Sequence, residues 1–289
     1  MSTYDQYTEG LTLVHKFAEG EGLVILLTGP TPGGIGAETL VSLAAESPAM
    51  LIVVGRSAEK AQATIDAIKG VNADVKAKFV EADLTSLKSV RKAAQIIRED
   101  TEIAKIDVVI NNAAVMATPR MNSPTHQFRA PIHGRAVRGP EFHRAGLVQR
   151  VLGLRAIQER HHPVCGSLAS RGTHAFAVHA GRISTNLQCY TKQMIGDEFM
   201  EKFDEASRRV TGMSLADARE LDPYKTLQQG CGTTLRAALD PNLVKEGVYM
   251  NDTLLTTDPK WVKAWATNPD FAERLWTMSE ELVGEKFVF

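Results

Sequence analysis

Four glycines lie close together near the start of the chain, and their spacing suits the binding of a phosphate group. Residues 23–36 read LVILLTGPTPGGIG, which places Gly29, Gly33, Gly34 and Gly36 in one short stretch. Glycine lacks the Cβ atom that keeps a pyrophosphate away from the backbone, and a helix beginning after such a turn presents unpaired N–H groups. The stretch lacks the Gly-Lys-Ser/Thr ending of a P-loop, which argues against a site for a nucleoside triphosphate. The stretch therefore predicts a dinucleotide phosphate site, and the alternative is a tight connection that binds nothing.

The elements around this turn predict how it is positioned. An apolar run of strand length precedes it and apolar residues at helical spacing follow it. The same strand–helix pattern occurs twice more and ends in a fourth strand. Strands are predicted at 23–28, 49–55, 75–82 and 106–114, and helices at 37–45, 58–69 and 86–102. Strands alternating with helices are typical of a doubly wound parallel sheet, so we predict an α/β Rossmann fold in a single domain, 1–289.

Arginine follows the second predicted strand, at Arg56, with Ser57 beside it. In a dinucleotide-binding fold, an acidic residue at this strand end accepts from the 2′-hydroxyl of the adenosine ribose, whereas an arginine pairs with a 2′-phosphate. The residue type therefore favours NADP over NAD. The alternative is a solvated arginine at a strand end.

Asp83 follows the third predicted strand, at the edge where ligands of open parallel sheets bind. It is placed to accept a hydrogen bond from the adenine amino group. Capping of the helix that starts near Ser86 is an equally physical alternative.

Composition bounds the class of protein. The chain has 289 residues, of which 44% are hydrophobic and 23% charged, with a formal net charge of -1 and three cysteines. This balance gives no electrostatic reason to expect nucleic acid, and no apolar run is long enough to predict a transmembrane segment. Few cysteines fit a reducing compartment, so we expect a cytoplasmic protein without disulfides.

The residues quoted above resemble the short-chain dehydrogenase/reductase family, in its retinol-dehydrogenase-like or WW-domain-oxidoreductase-like branch. The matching motifs are Thr28-Gly29 with Gly34-Ile35-Gly36, Gly55-Arg56-Ser57, Asp83-Leu84, Asn111-Asn112-Ala113-Ala114, and His179-Ala180-Gly181 with Thr185. The chain departs from the family pattern by one extra residue in the glycine turn, by Ala114 in place of glycine and by Ala180 in place of proline. The resemblance covers residues 23–118 and 168–289.

The resemblance implies roles for these residues. The pyrophosphate is lined by Gly29, Gly34, Ile35 and Gly36, the 2′-phosphate by Arg56 and Ser57, the adenine by Asp83 and Leu84, and the adenosine side by Asn112 and Ala113. Thr185 bonds the nicotinamide carboxamide or a nearby phosphate, unless it caps the next helix. The implied activity is alcohol and ketone interconversion on a small or lipophilic substrate, with NADP(H) as cofactor.

The central segment, 119–173, differs in kind and predicts an irregular or poorly ordered stretch. It is rich in Arg, Gly and Pro and holds most of the eight histidines. No tyrosine occurs between Tyr7 and Tyr190, and no lysine occurs between Lys105 and Lys192. The family uses a Tyr-x-x-x-Lys pair for proton transfer, with both side chains on one helix face. Tyr190 and Lys192 have the wrong spacing, so the catalytic residues stay unknown.

Three explanations of this segment are open. A change of reading frame or exon boundary near Phe128 that recovers near Leu168 is one hypothesis, which sequencing the transcript tests. Arginines that clamp an anionic partner are another, and a disordered insertion is favoured over that. His161, His162, Cys165 and His174 match no standard zinc spacing, so no metal site is predicted.

The last hundred residues predict the closing elements. We expect a strand at 173–178, a lid-like helical region at 190–220, a helix at 223–239 that joins a subunit interface in a homo-oligomer, a strand at 247–250, and helices anchored by tryptophans at 259–283. Two functions from different classes follow: an NADP(H)-dependent oxidoreductase, or a catalytically inactive dinucleotide-binding or scaffold protein, including a truncated or frame-altered product.

Overall fold

The computed structural model describes the chain in several stretches. These are residues 4–17, 22–114, 168, 174–186, 201, 204–205, 207–209, 212–221, 223–243, 249–259, 261–262 and 264–287. The irregular segment predicted at 119–173 lies outside the described residues except for Leu168. Residues 190–200 of the lid-like region lie outside them as well.

A four-stranded parallel sheet forms the first half of the fold. Its strands are β1 (Val24–Thr28), β2 (Met50–Gly55), β3 (Ala77–Glu81) and β4 (Val108–Ile110). Their order is β3-β2-β1-β4, so the chain leaves β1 toward one edge and returns to the other. All three pairings are parallel, with Leu26 opposite Ile52 and Val109. The parallel sheet predicted from the alternating pattern is therefore confirmed.

Three helices connect these strands, and polar caps mark where two of them begin. They are α2 (Ile35–Leu43), α3 (Ala58–Val71) and α4 (Leu87–Glu99), preceded in the chain by α1 (Gly10–Lys16). Ser57 caps α3 by accepting from the Lys60 amide, and Ser86 caps α4 by accepting from the Ser89 amide. Each cap satisfies one of the N–H groups that a helix start leaves without an intrahelical partner.

The core lies on both faces of the sheet, as a doubly wound fold requires. In β2, Leu51 and Val53 belong to the apolar cluster shared with α1, α2 and α3. Met50, Ile52 and Val54 belong to a second cluster, which includes Ala93 of α4. Because successive side chains of a strand point to opposite faces, a strand buried on both sides reads as one apolar run.

The second half of the fold adds short strands and a long helix. The strands are β5 (Ala177–His179), β6 (Arg182–Ile183), β7 (Tyr224–Lys225), β8 (Tyr249–Asn251) and β9 (Leu254–Leu255), and the helices are α5 (Leu215–Leu221), α6 (Leu227–Leu239) and α7 (Pro269–Val283). β5 pairs with β8, and β6 pairs with β7, both in parallel. Within the described residues, neither pair is hydrogen-bonded to β4. The chain that leads from β4 to β5 lies mostly outside those residues.

α6 joins the two halves. Its Cys231, Leu235 and Leu239 are buried in the same cluster as Leu13 of α1 and Leu40 of α2. Gly10 of α1 sits so close to α6 that a Cβ atom there would lie 2.4 Å from the Cys231 sulfur. The backbone of α1 at Gly10 therefore packs directly against a side chain of α6.

Two predictions about this half need correction. The helix expected at 223–239 begins only at Leu227, because Tyr224 and Lys225 form β7 and Thr226 begins a capping box with Gln229. The tryptophans predicted as packing anchors differ from one another. Trp261 packs against a buried cluster, whereas Trp265 is 38% exposed because it lies in a single 3-10 turn at the surface.

Candidate dinucleotide-binding site

The glycine turn lies at the carboxyl end of β1 and requires glycine at two positions. Gly29 has φ 77° and Gly33 has φ 73°, in the left-handed region that side chains disfavour. The Gly29 amide donates to the Val54 carbonyl at 2.9 Å, which ties the turn to β2. A Cβ atom on Gly29 would lie 2.8 Å from the Ala113 Cα, so the chain after β4 packs directly on the turn. The backbone of the turn is thus fixed from both neighbouring strands.

The N-terminus of α2 faces this turn without a side-chain cap. Its N-cap residue, Gly34, makes no side-chain hydrogen bond, in contrast to Ser57 and Ser86 on the next two helices. The amides of the first helical turn, from Ile35 onward, have no partner within the helix. Together with the positive end of the helix dipole, they form an arrangement that accepts an anion.

Asn112 holds the turn in place. Its Nδ2 atom donates to the carbonyl oxygens of Thr28 at 3.0 Å and of Gly29 at 3.1 Å. A Cβ atom on Gly36 would lie 2.3 Å from this same Nδ2 atom, so the missing side chain of Gly36 makes room for Asn112. The amide of Ala113 donates to the Thr28 hydroxyl at 3.1 Å. Asn112 and Ala113 therefore position the phosphate turn through its backbone.

Arg56 lies at the open edge of the turn. The preceding residue, Gly55, packs against Pro30 of the turn, because a Cβ atom on Gly55 would lie 3.3 Å from the Pro30 Cδ. Arg56 is exposed, and within the described part of the chain no ion pair with it is found. Ser57 accepts the cap hydrogen bond from Lys60 and keeps its hydroxyl proton available to a further acceptor.

Asp83 and Leu84 lie at the carboxyl end of β3. Asp83 Oδ1 accepts from the amide of Thr85 at 2.9 Å and from its hydroxyl at 2.8 Å, which closes a turn before α4. The cap of α4 is Ser86, so the capping role considered for Asp83 belongs to Ser86. Leu84 is 50% exposed and offers an apolar surface next to this turn.

Thr185 lies in a segment that meets the glycine turn from the second half of the fold. The neighbouring Asn186 donates from Nδ2 to the Pro32 carbonyl at 2.9 Å. The same Nδ2 atom lies 3.1 Å from where a Cβ atom on Gly33 would be. The two parts of the chain that carry the family motifs are therefore adjacent in space. Nothing in the sequence singled out Asn186, because its contact spans 154 residues.

Two titratable groups, Asp107 and Cys231, serve the fold. Asp107 Oδ1 pairs with Lys105 at 2.6 Å, and its Oδ2 accepts from the Val24 amide at 2.9 Å; both interactions lower the pKa of Asp107. Burial raises the pKa of the Cys231 thiol to about 12. Searched over the described residues, the chain holds no cluster of side chains suited to a metal ion. Likewise, no helix in those stretches combines the length and apolar character needed to cross a bilayer.

The positions considered for proton transfer lie outside the described residues. These are Tyr190 and Lys192; His161, His162 and Cys165 lie outside them as well, whereas His174 is described. The described site is therefore the dinucleotide-binding half.

Comparison with known proteins supports the same reading. Residues 23–133 match the sequence profile of the short chain dehydrogenase family. Oxidoreductase fscI of Fusarium equiseti is 32% identical over 117 residues, which span 40% of this chain and 45% of that protein. Human retinol dehydrogenase 11 is 25% identical over 91% of this chain and 86% of that protein.

A solved structure confirms the fold. YwfH, described as an NADPH dependent reductase involved in bacilysin biosynthesis, superposes with a TM-score of 0.54 at 14% identity, covering 82% of this chain and all of that one (100%). At that identity the likeness establishes the Rossmann fold alone. The motifs, the profile match and the sequence relatives together show that this chain is similar to the short-chain dehydrogenase/reductase family, and within it to retinol dehydrogenases.

Proposed function

We propose that this chain is an NADP(H)-dependent oxidoreductase that interconverts an alcohol and a ketone or aldehyde on a small or lipophilic substrate. Three kinds of observation support the cofactor. The glycine turn admits a pyrophosphate to the backbone, the first turn of α2 carries no side-chain cap, and Arg56 is exposed beside the turn. The residues present therefore fit a dinucleotide.

The observation that carries the proposal is the uncapped N-terminus of α2, together with the exposed Arg56 at the end of β2, where Gly55 packs on the turn. A pyrophosphate at the helix start would accept from the amides of Ile35 and Gly36, and Gly29 and Gly34 would allow its close approach. A 2′-phosphate at the rim would pair with Arg56 and accept from the Ser57 hydroxyl. This is the reason to favour NADP over NAD.

The remaining contacts follow from the same placement. The adenine would lie against Leu84 and donate to Asp83, and Asn112 and Ala113 would hold the turn beneath the adenosine. Thr185 would bond the nicotinamide end from the opposite side of the cleft. A bound nicotinamide supplies the hydride, whereas the protein supplies orientation and exclusion of water.

Similar proteins support the reaction class. These proteins are described as an oxidoreductase, a retinol dehydrogenase and an NADPH dependent reductase. A retinol-like substrate would agree with the lipophilic pocket expected for this branch. The homo-oligomer and the cytoplasmic location stay predictions from the sequence, as does the single domain over 1–289.

The alternative function, a catalytically inactive dinucleotide-binding or scaffold protein, rests on one sequence observation, and the similar proteins do not favour it. No tyrosine occurs between Tyr7 and Tyr190, so the family's Tyr-x-x-x-Lys pair is missing from its usual interval. Without that pair the chain would bind dinucleotide and transfer no proton, which costs roughly two to four orders of magnitude in rate.

One experiment separates these functions. The full chain is titrated calorimetrically with 2′,5′-ADP and with 5′-AMP, and NADPH consumption is then followed with a panel of aldehydes and ketones that includes retinal. Preference for 2′,5′-ADP together with turnover above background supports the oxidoreductase. Binding without turnover supports the second function, and failure to bind either nucleotide contradicts both.

A further inference from the structure

An ion pair between a buried lysine and a partly exposed aspartate lies against the segment that carries Thr185. This 179–186 segment runs from His179 at the end of β5 to Asn186 at the glycine turn. Under the function proposed above, it forms the nicotinamide side of the cleft. The contacts that fix its shape come from β7 and from the turn between β8 and β9.

The Lys225 side chain packs against the backbone of the 179–186 segment at Gly181. The lysine side chain is 2% exposed and forms an ion pair with Asp252. Gly181 has φ 87°, and a Cβ atom there would lie 2.6 Å from Lys225 Nζ and 2.7 Å from its Cε. The backbone of the segment therefore rests directly on the lysine side chain. The pairing of Ile183 with Lys225 in β6 and β7 fixes the register of this contact.

Asp252 extends the contact to the start of the segment. Its Oδ2 atom accepts from Asn251 Nδ2 at 2.8 Å. The Oδ1 atom of Asn251 lies 2.8 Å from His179 Nδ1, which is accordingly the donor. His179, Asn251, Asp252 and Lys225 thus form one continuous polar chain around the turn at Gly181.

Burial of the lysine of this pair calls for a reason other than stability. Replacing a buried ion pair by apolar side chains of similar volume is often neutral or stabilising. An ion pair, however, fixes the distance between its two partners through direction-dependent hydrogen bonds. Here those partners lie on β7 and on the β8–β9 turn. The 179–186 segment, which packs on Lys225, contains Thr185, the residue that the proposed function puts at the nicotinamide.

We propose that Lys225 and Asp252 are positioning residues that hold the 179–186 segment so that Thr185 reaches the nicotinamide half of the cofactor. This inference rests on the proposed function. It predicts that disrupting the pair weakens binding of the whole dinucleotide and leaves binding of its adenosine half unchanged, because β2 and Asn112 also hold the glycine turn and Arg56 lies at the end of β2.

The test measures dissociation constants of NADPH and of 2′,5′-ADP for the wild type and three variants. K225M removes the charge and keeps the length of the side chain. D252N is isosteric, keeps an acceptor for Asn251, and suits the positive φ of 50° at this position, which asparagine tolerates. K78M is the matched control, because it breaks a partly buried ion pair with Asp100 at β3, away from the 179–186 segment.

K225M is expected to raise the NADPH dissociation constant about tenfold, which corresponds to roughly one hydrogen bond, and to change that of 2′,5′-ADP by less than about twofold. D252N should also weaken NADPH binding, by a smaller factor, and leave 2′,5′-ADP binding unchanged. If K225M does not fold, the result for D252N alone tests the inference. Equal weakening of both ligands, no weakening of either, or a selective loss of NADPH binding in K78M would overturn the inference. A wild type that does not bind 2′,5′-ADP would overturn the proposed function itself, and the inference with it.

Discussion

Gly36→Ala should destabilise the fold strongly, because the position of the new methyl group is already occupied. A Cβ atom on Gly36 would lie 2.3 Å from Asn112 Nδ2 and 2.7 Å from the Gly29 carbonyl oxygen. Both neighbours are fixed, since the Asn112 amide bonds two carbonyls and Gly29 is tied to β2. The substitution therefore forces the amide out of its site.

The magnitude follows from these contacts. Losing the hydrogen bonds from Asn112 to Thr28 and Gly29 costs about 0.5–1.5 kcal/mol each. Overpacking against the Gly29 carbonyl adds about 1–3 kcal/mol. The higher helix propensity of alanine recovers about 1 kcal/mol. We expect a net loss of roughly 3 kcal/mol in the free energy of unfolding.

Urea unfolding, followed by the fluorescence of the three tryptophans, measures this loss. Gly70→Ala is the matched control, because Gly70 lies in α3 and no atom lies within 4 Å of its Cβ position. That variant should be stabilised by about 0.5–1 kcal/mol. The two variants make the same chemical change in a helix and should move stability in opposite directions.

A double-mutant cycle with Asn112→Ala tests the cause. Removing the amide relieves the clash, so the double variant should lose less stability than the sum of the two single losses. If Gly36→Ala is no less stable than the wild type, or if the two losses are additive, the close packing of Asn112 on Gly36 is not what requires glycine here.

Two further predictions concern titratable groups. Because Lys105 and the Val24 amide lower the pKa of Asp107, its stabilising contribution is complete above the unfolded-state pKa of about 3.9 and is lost as the pH falls through the folded-state value. Asp107→Asn should therefore lower stability at pH 7 and flatten the acid limb of stability measured by urea unfolding; an unchanged acid limb contradicts this. With a pKa of about 12, only about one in ten thousand Cys231 thiols is ionised at pH 8. In a variant with the other two cysteines replaced by serine, Cys231 should react with Ellman's reagent only after unfolding, and rapid reaction of the native protein would contradict its burial.

The parallel sheet could be predicted because its strands are buried on both faces. The run from Met50 to Val54 contains no polar residue, and burial alternates between the two apolar clusters along it. Local sequence is sufficient for such an element. The glycine turn was predictable for the same reason, since positive φ at Gly29 and Gly33 requires a residue type that can be read directly.

Long-range polar contacts could not be predicted. Lys225 looks like an ordinary surface lysine, and only the fold brings Asp252, 27 residues away, to its amine. The two-residue strand β7 has no periodicity of its own, which is why the helix was predicted to start too early. A signal did exist, since Thr226 followed by Gln229 is a capping box.

The bracing roles of Asn112 and Asn186 could not be predicted from the sequence either. The resemblance placed Asn112 beside the adenosine, and the structure adds that its amide braces the turn through Thr28 and Gly29. Asn186 bonds Pro32 across the cleft and belongs to no motif that we recognised. Side chains that hold a backbone in place are recognisable only once their distant partners are known.

NADP binding at the glycine turn and Arg56 is tested most directly by the ratio of the dissociation constants for NADH and NADPH. The wild type should prefer NADPH. Arg56→Ala should raise the NADPH constant by about 10- to 100-fold, the loss of one charge-assisted contact, and change the NADH constant by less than about twofold. Arg98→Ala, an exposed arginine in the last turn of α4, should change neither. An unchanged NADPH constant in Arg56→Ala, or equal losses for both dinucleotides, would contradict a 2′-phosphate site at Arg56.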